Sequence, residues 1–403
     1  IKSSRRACSD MDMEARSRGC LLGVMIGDAL GAGVEGWPPG DIEALARELW
    51  GSSLIQAFFP AVHMASYVSA GQPGAYREAR PFDHAGFVPT GPPSSDAVAQ
   101  QRARCGMFTD DTETSLALAA SLVAHGGIVA KSAARAYADA WQSEPFRGYP
   151  PTAQHVMQHV LDGMSIDVTG LPPHFPFVGG SFANGGAMRI APLAIAYRDA
   201  DAATLRAAVE EALRSSHRHP EAIDFAVVQA AAVQYALHHE PASFEPVRLL
   251  ADLAARCATE AMRSVVDATT AALQNRREGD DEVATVAALT SLQKRPGSGM
   301  GFQIASVHMC PCVLWCACRY AADPKRALQA AIALGGDTDT TASMVGAIVG
   351  ALHGQGDWAA HWASQLENGQ GSGRDHALTL ADQLAHLSPP GLRDERKAPP
   401  DAL

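Results

Sequence analysis

The chain is 403 residues long, 47% hydrophobic and 19% charged, with 32 Lys+Arg against 43 Asp+Glu and a formal net charge of −11. An apolar share in the ordinary globular range excludes wholesale disorder. The acidic balance argues against a nucleic-acid coat or an anionic membrane surface as partner, and no apolar run reaches the ~18 residues of a bilayer span.

In chain order, residues 1–12 read as a disordered leader. The apolar stretch 19–27 follows Arg5, Arg6, Arg16 and Arg18, superficially like a signal peptide, but Asp28 ends it and no small-residue cleavage site follows, so it reads as a buried helix. Residues 71–104 carry Pro73, Pro81, Pro89, Pro92 and Pro93 among several glycines and read as a loop insertion. Ala- and Leu-rich patterns with caps or breakers at several ends predict helices over 116–125, 132–141, 201–214, 221–239, 246–264, 307–320 and 340–352. Val345, Ile348 and Val349 fall at the spacing of a core-facing stripe. The polar stretch 275–301 reads as loop, and 388–403 as a disordered tail. Few segments alternate with period two, no repeat is visible, and no composition shift divides the chain. The expectation is one all-α domain over 13–387.

Eight cysteines (Cys8, Cys20, Cys105, Cys257, Cys310, Cys312, Cys316 and Cys318) are too sparse for a disulfide scaffold and suggest a reducing compartment. On a helix, His308, Cys312 and Cys316 share a face, which raises zinc. Small buried core residues are the simpler reading, since free Cys is among the most buried residue types. Gly31-Ala32-Gly33-Val34-Glu35-Gly36 matches the dinucleotide fingerprint, but that motif needs a strand before it and a helix after it. Here helix precedes, and Trp37-Pro38-Pro39-Gly40 follows.

Two acidic clusters carry more weight. Phe108-Thr109-Asp110-Asp111-Thr112-Glu113-Thr114 and Leu334-Gly335-Gly336-Asp337-Thr338-Asp339-Thr340-Thr341 each precede an apolar helix. Capping explains one Asp or Thr at a helix start, not two carboxylates flanked by hydroxyls, twice. Carboxylates buried together need neutralising, and an all-oxygen donor set points to a hard ion: Mg²⁺, Mn²⁺ or Ca²⁺. Four carboxylates could hold a pair. A third element, Gly179-Gly180-Ser181-Phe182-Ala183-Asn184-Gly185-Gly186-Ala187-Met188-Arg189, is dense enough in glycine to form an anion nest, with Phe182 and the upstream Phe177 available to stack on a flat base. Alone, Glu35 reads as a loop acid and His217 as a structural donor.

Together these pieces resemble the ADP-ribosylglycohydrolase family. The matching residues are Gly-Asp-Ala-Leu-Gly at 27–31 with Glu35, Thr-Asp-Asp-Thr at 109–112, Arg147-Gly148-Tyr149, Asn-Gly-Gly-Ala-Met-Arg at 184–189, His217, and Gly-Gly-Asp-Thr-Asp-Thr at 335–340. They stand in the family's order. The resemblance implies a compact orthogonal helical bundle around a central cleft with two metal ions, Mg²⁺ with Mn²⁺ as the alternative. The implied ligands are Thr109, Asp110, Asp111, Asp337, Asp339 and Thr340. Glu35 matches the catalytic or substrate-gating glutamate, with Asp110 or Asp339 as alternative bases acting through a metal-bound water. Gly180, Ser181, Phe182, Asn184 and Gly186 match the loop on the diphosphate and adenosine side, His217 matches a ligand-contacting position, and Phe177 joins them as a stacking candidate.

The implied activity is hydrolysis of the ribose C1 bond of ADP-ribosylated arginine or serine side chains, through an oxocarbenium-like state. Small ADP-ribose conjugates, poly(ADP-ribose) or another ribosyl conjugate are alternative substrates, and a non-catalytic ADP-ribose-binding protein is the alternative class. The 71–104 insertion is longer than expected for compact members of the family and could cover the cleft and alter which acceptor enters; the sequence does not assign its role. The Cys-rich helix has no place in the resemblance. The chain is expected to be a cytoplasmic monomer that binds neither nucleic acid nor membrane.

Overall fold

Glycine spaced every four residues dictates the central packing. Gly19, Gly23, Gly27 and Gly31 lie along one stripe of the first helix, α1 (Asp10–Ala32), and a Cβ on any of them would collide with the backbone of a helix from the far end of the chain. The facing residues run in reverse order: Gly350 and Gly354 opposite Gly19, Gly346 opposite Gly23, Ala342 opposite Gly27, and Thr338 with Asp339 opposite Gly31. The two helices are therefore antiparallel with backbones in direct contact, a separation that side chains at these positions would forbid.

The computed structural model describes residues 10–59, 106–145, 147–277, 279–369 and 372–387. The expected insertion and tail lie outside the described residues, as does the leader up to residue 9; residues 10–12 already belong to α1. After α1 come α2 (Pro39–Trp50), α3 (Asp110–His125), α4 (Ala130–Ser143) and α5 (Pro151–Leu161). The middle of the chain forms α6 (Gly185–Met188), α7 (Ala191–Ala196), α8 (Ala202–Leu213), α9 (Pro220–Leu237), α10 (Pro246–Arg256) and α11 (Glu260–Asn275). Then follow α12 (Glu282–Thr290), α13 (Ser306–Arg319), α14 (Pro324–Ala333), α15 (Thr338–His353), α16 (Asp357–Ala363) and α17 (Arg374–Ala385). A two-residue antiparallel pair, β1 (Asn368–Gly369) with β2 (Ser372–Gly373), is the sheet among the described residues. The all-α expectation holds.

The core is a set of helices buried on every face. All of α15 from Thr338 to Leu352 is buried, as are nearly all of α9 and all of α13 up to Cys318. Such helices have no polar face to show, which is why their sequences carry little amphipathic pattern. Among the described residues no helix is long and apolar enough to cross a membrane.

Two predicted boundaries fail for identifiable reasons. The helix expected over 246–264 is two helices, because Asp224 of α9, fully buried, accepts hydrogen bonds from Ala258 N (3.1 Å), Thr259 N (2.7 Å) and Thr259 Oγ1 (2.7 Å). Those donors are drawn out of helical geometry, and Thr259 then caps α11. The loop expected over 275–301 contains α12, started by an Asp281 cap on Ala284 N. In α13, His308 has both ring nitrogens engaged, with Ser298 Oγ (2.8 Å) and Gln293 O, and Cys312 donates to His308 O (3.3 Å). Burial pushes the Cys312 thiol up to about 12. These are inert core residues, not zinc ligands.

Candidate active site

The α3 start is capped from outside. Asp28 of α1, fully buried, accepts from Thr109 N with both oxygens (2.9 and 3.0 Å), from Thr109 Oγ1 (3.0 Å) and from Thr112 N (3.0 Å). Asp110 N is satisfied separately by Arg147 O (2.7 Å). With the helix end satisfied by Asp28, by Arg147 O and by the Thr109 hydroxyl, which accepts from Asp111 N (3.4 Å), the side chains of Asp110 and Asp111 are not needed for capping and line a cleft.

The α15 start is held by neighbours on the opposite side. Gly335 and Gly336 adopt φ of 70° and 76°, a left-handed turn open to glycine. This turn hydrogen-bonds to the segment after α1: Gly36 N donates to Gly336 O (2.7 Å) and Gly336 N to Trp37 O (3.0 Å). Glu35 is thereby carried to the second acidic segment, where Glu35, Asp337 and Asp339 each place a carboxylate oxygen within 4.8 Å of the others. Asp337 N donates to Gln303 Oε1 (2.9 Å), and Asp337 Oδ2 accepts from Asn184 Nδ2 (2.6 Å).

The two acidic segments, some two hundred residues apart in sequence, meet directly. Thr340 Oγ1 donates to Asp111 Oδ2 at 3.2 Å, in a buried position. Burial dominates the electrostatics: it raises Asp110 to about 8, with the charges of Asp28 and Asp337 adding to the effect. Asp28 rises to about 6 by burial against its hydrogen bonds, while Asp111 and Asp339 are driven well above the carboxylate range by burial and neighbouring acids. Asp111 Oδ1 is buried without a hydrogen-bond partner. An all-oxygen set of converging acids, one with an unsatisfied oxygen, fits a hard divalent cation, which would restore the ionised form.

The cleft has a volume of about 320 Å³. Asp110, Asp111, Asp337, Asp339 and Thr340 line one end; Phe177, Ser181, Phe182, Asn184 and His217 also line it. Glu35 and Thr109 stand behind the lining acids, at Asp337/Asp339 and at Asp28 respectively. Gly186 packs beneath the wall against Leu213 and His217, and Gly180, at φ 91°, turns the chain beside Gly170 O. The rest of the lining is partly aromatic: Phe175, Phe177 and Phe182 line it, with ring centroids at 5.7 Å for Phe175–Phe177 and 5.4 Å for Phe177–Phe182, and His219 packs on Phe182 at 6.0 Å. The loop carrying Phe182 and Asn184 is fixed by an exchange with the segment before α13, Asn184 N donating to Ile304 O (2.8 Å) and Ser306 N to Phe182 O (3.0 Å).

Several roles escaped the sequence reading. Asp28 was visible only as part of a motif. Asn184 lines the cleft, but its Nδ2 is committed to Asp337 and to Gln303 O (3.2 Å). Arg189, buried, lies 4.1 Å over the Tyr137 ring and donates from Nη2 to Ser216 Oγ (2.6 Å), which in turn contacts His217 Nδ1 (3.0 Å). Burial, then the Arg189 charge, holds His217 well below the usual histidine range, which favours its neutral form. Arg189 closes the Asn-Gly-Gly-Ala-Met-Arg run, yet no local pattern pairs it with Tyr137 on α4.

The match to known proteins follows the same extent. Residues 9–392 fit the family model for ADP-ribosylglycohydrolase, and the chain belongs to that family of glycosyl hydrolases; it is an enzyme. Among named relatives it is 28% identical over 369 residues to ADP-ribosylhydrolase ARH3 of Homo sapiens, covering 88% of this chain and 89% of that one. It is 26% identical over 344 residues to the uncharacterized protein YegU of Escherichia coli K12, covering 83% and 87%. A solved structure described as an ADP-ribosylglycohydrolase-related protein complex shares the fold, with a TM-score of 0.58 at 22% identity over 94% of this chain and 99% of that one.

Proposed function

We propose that this enzyme hydrolyses the bond between ribose C1 and a protein side chain, arginine or serine, releasing ADP-ribose. The observation that carries the reading is the buried meeting of Asp111 with Thr340 beside the Glu35, Asp337 and Asp339 carboxylates, in a cleft that Phe175, Phe177 and Phe182 also line. A ligand that is a flat base at one end and a polyhydroxylated sugar at the other matches that lining. The name of the relative ARH3 supports the same reaction class.

In this reading Thr109, Asp110, Asp111, Asp337, Asp339 and Thr340 hold two Mg²⁺ ions, with Mn²⁺ as a substitute. Bound there, the ions supply Lewis acidity and orientation at the ribose hydroxyls. Glu35 moves the proton to or from the leaving acceptor, with Asp110 or Asp339 as the competing candidates. Phe177 and Phe182 stack on the base. Gly180, Ser181 and Gly186 shape the backbone that meets the diphosphate, and neutral His217 offers it one hydrogen bond. Asn184 contributes by holding Asp337 in place.

The test is release of free ADP-ribose from mono-ADP-ribosylated arginine and serine peptides, with and without Mg²⁺. Metal-dependent release from either supports the proposal; no release from both overturns it. Glu35→Gln should cut kcat by about 100-fold or more with ligand affinity intact if Glu35 is the acid/base. An unchanged kcat moves that role to Asp110 or Asp339.

A further inference from the structure

Beside the cleft, three histidines meet that the hydrolytic reading does not use. His155 and His159 stand one turn apart on α5, with ring centroids 4.4 Å apart and planes at 75°. His174, from the segment after α5, places its ring 5.5 Å from that of His159 at 77°. His155 is exposed and the other two are half-buried. None of the three rings makes a hydrogen bond to another described residue, so their nitrogens remain open to a ligand. Burial, His155 and His174 in that order hold His159 below the ordinary histidine range.

We propose that His155, His159 and His174 form a site for a divalent transition ion of the zinc class, separate from the acidic site. Zn–N bonds of ~2.0–2.1 Å put the metal about 3.2 Å from each ring centre, so tetrahedral ligation needs ring centres about 5 Å apart. The His155–His159 and His159–His174 spacings bracket that figure, while His155 and His174 make no ring contact and must close up when the ion binds. The ring nitrogens of the three are not all within 4.8 Å of one another, so convergence requires rotation of the imidazoles, of which His155 is exposed and none is fully buried. Donor chemistry separates this site from the acids: imidazole suits zinc, nickel and copper, whereas carboxylates and hydroxyls suit Mg²⁺.

The site joins two elements that build the cleft. Helix α5 lines it with Thr152, Val156 and Met157, and His174 precedes Phe175, which lines it with Phe177. An ion held by all three imidazoles ties the segment carrying those two rings to α5, so it fixes the aromatic end and leaves the acidic end untouched.

The experiment uses the full chain saturated with Mg²⁺, with Zn²⁺ as probe in equilibrium dialysis. One Zn²⁺ per chain, retained at micromolar concentration, is expected. His155→Ala/His159→Ala and His174→Ala should each weaken it by at least about 100-fold, since losing even a residue that merely orients a ligand costs ~10–100-fold. Zn²⁺ should slow proteolysis between residues 163 and 180 in the wild type and not in the variants. Thermal melts without zinc establish that each variant is folded, the expected result because none of the three positions is fully buried. Zinc retention unchanged in the double variant, or in His174→Ala, overturns the three-histidine site, as does absence of micromolar binding in the wild type.

Discussion

The acidic end and the aromatic end of the cleft are built by different means. Asp337 and Asp339 sit at the start of α15, whose whole first stretch is buried, and Asp110 and Asp111 open α3 under a cap supplied by Asp28. Each acid is set by a helix terminus whose position the core dictates. Phe177 belongs to the stretch between α5 and α6, is 44% exposed, and is followed by Val178 at 91%. Its neighbours are other aromatic rings. Under the proposed function, chemistry that needs fixed geometry would rest on packed helix ends and recognition that tolerates variation on loop.

If this contrast is right, changes at the acidic end should remove turnover and those in the packing beneath it should remove the fold. An Asp110→Ala/Asp337→Ala variant is expected to lose at least about 10³-fold in kcat together with Mg²⁺ affinity, read by ADP-ribose release and titration calorimetry, while remaining folded. Turnover at the wild-type level would end the metal account. Gly23→Ala acts one layer down. The added methyl meets the Gly346 backbone, which cannot rotate away, and the helices must separate along a stripe that also carries Gly31 against Asp339. Overpacking of this kind costs about 1–3 kcal/mol, and rigid backbone on both sides places this case at or above the upper figure. Denaturant unfolding checks it, and a loss below about 1 kcal/mol would mean the helices can shift apart freely.

Chelation probes the same end through pH. Asp110, raised to about 8, and Asp28, raised to about 6, hold protons that the unfolded chain releases near pH 4. Without metal their contribution to stability is therefore full below about pH 4 and lost as pH rises through 6 and 8. The chelated protein should weaken between pH 5 and 8 by a few kcal/mol, on the order of magnitude set by such shifts. Added Mg²⁺ should flatten that slope by favouring the ionised acids. Melting curves at both pH values, with and without the ion, measure it; a chelated protein equally stable at both would show that the acids are not strained by burial.

What the sequence disclosed follows the same division. The acidic segments were legible because carboxylates flanked by hydroxyls ahead of apolar helices exceed what a cap needs, and their convergence is seen in the Thr340–Asp111 contact. Asp28 was not legible as the cap of α3, because a residue inside the last turns of one helix that caps another leaves no local trace. Glycines at 19, 23, 27 and 31 and at 346, 350 and 354 were a visible spacing, but helical small-residue stripes name no partner. The break at 257–259 depended on Asp224, remote in sequence, and so could not be read from the 246–264 pattern. The boundaries were legible where the chain decides locally, and hidden where a distant polar group decides.

The smallest expected effect lies at the aromatic end, and it tests whether that end recognises without shaping the chemistry. Phe182 is half-buried against the core, with Phe177 at 5.4 Å, so Phe182→Ala removes a stacking surface held from behind. Stacking pairs contribute about 0.5–1.5 kcal/mol beyond burial, which predicts a rise in KM of about two- to thirteenfold with kcat within about twofold. Phe177→Ala, more exposed, should stay at the lower figure. Steady-state kinetics on one ADP-ribosylated peptide distinguishes the outcomes. A fall in kcat equal to the fall in kcat/KM would mean that binding at the aromatic end is spent on positioning ribose C1, and that the two ends are coupled through the Phe182–Ser306 and Asn184–Asp337 hydrogen bonds.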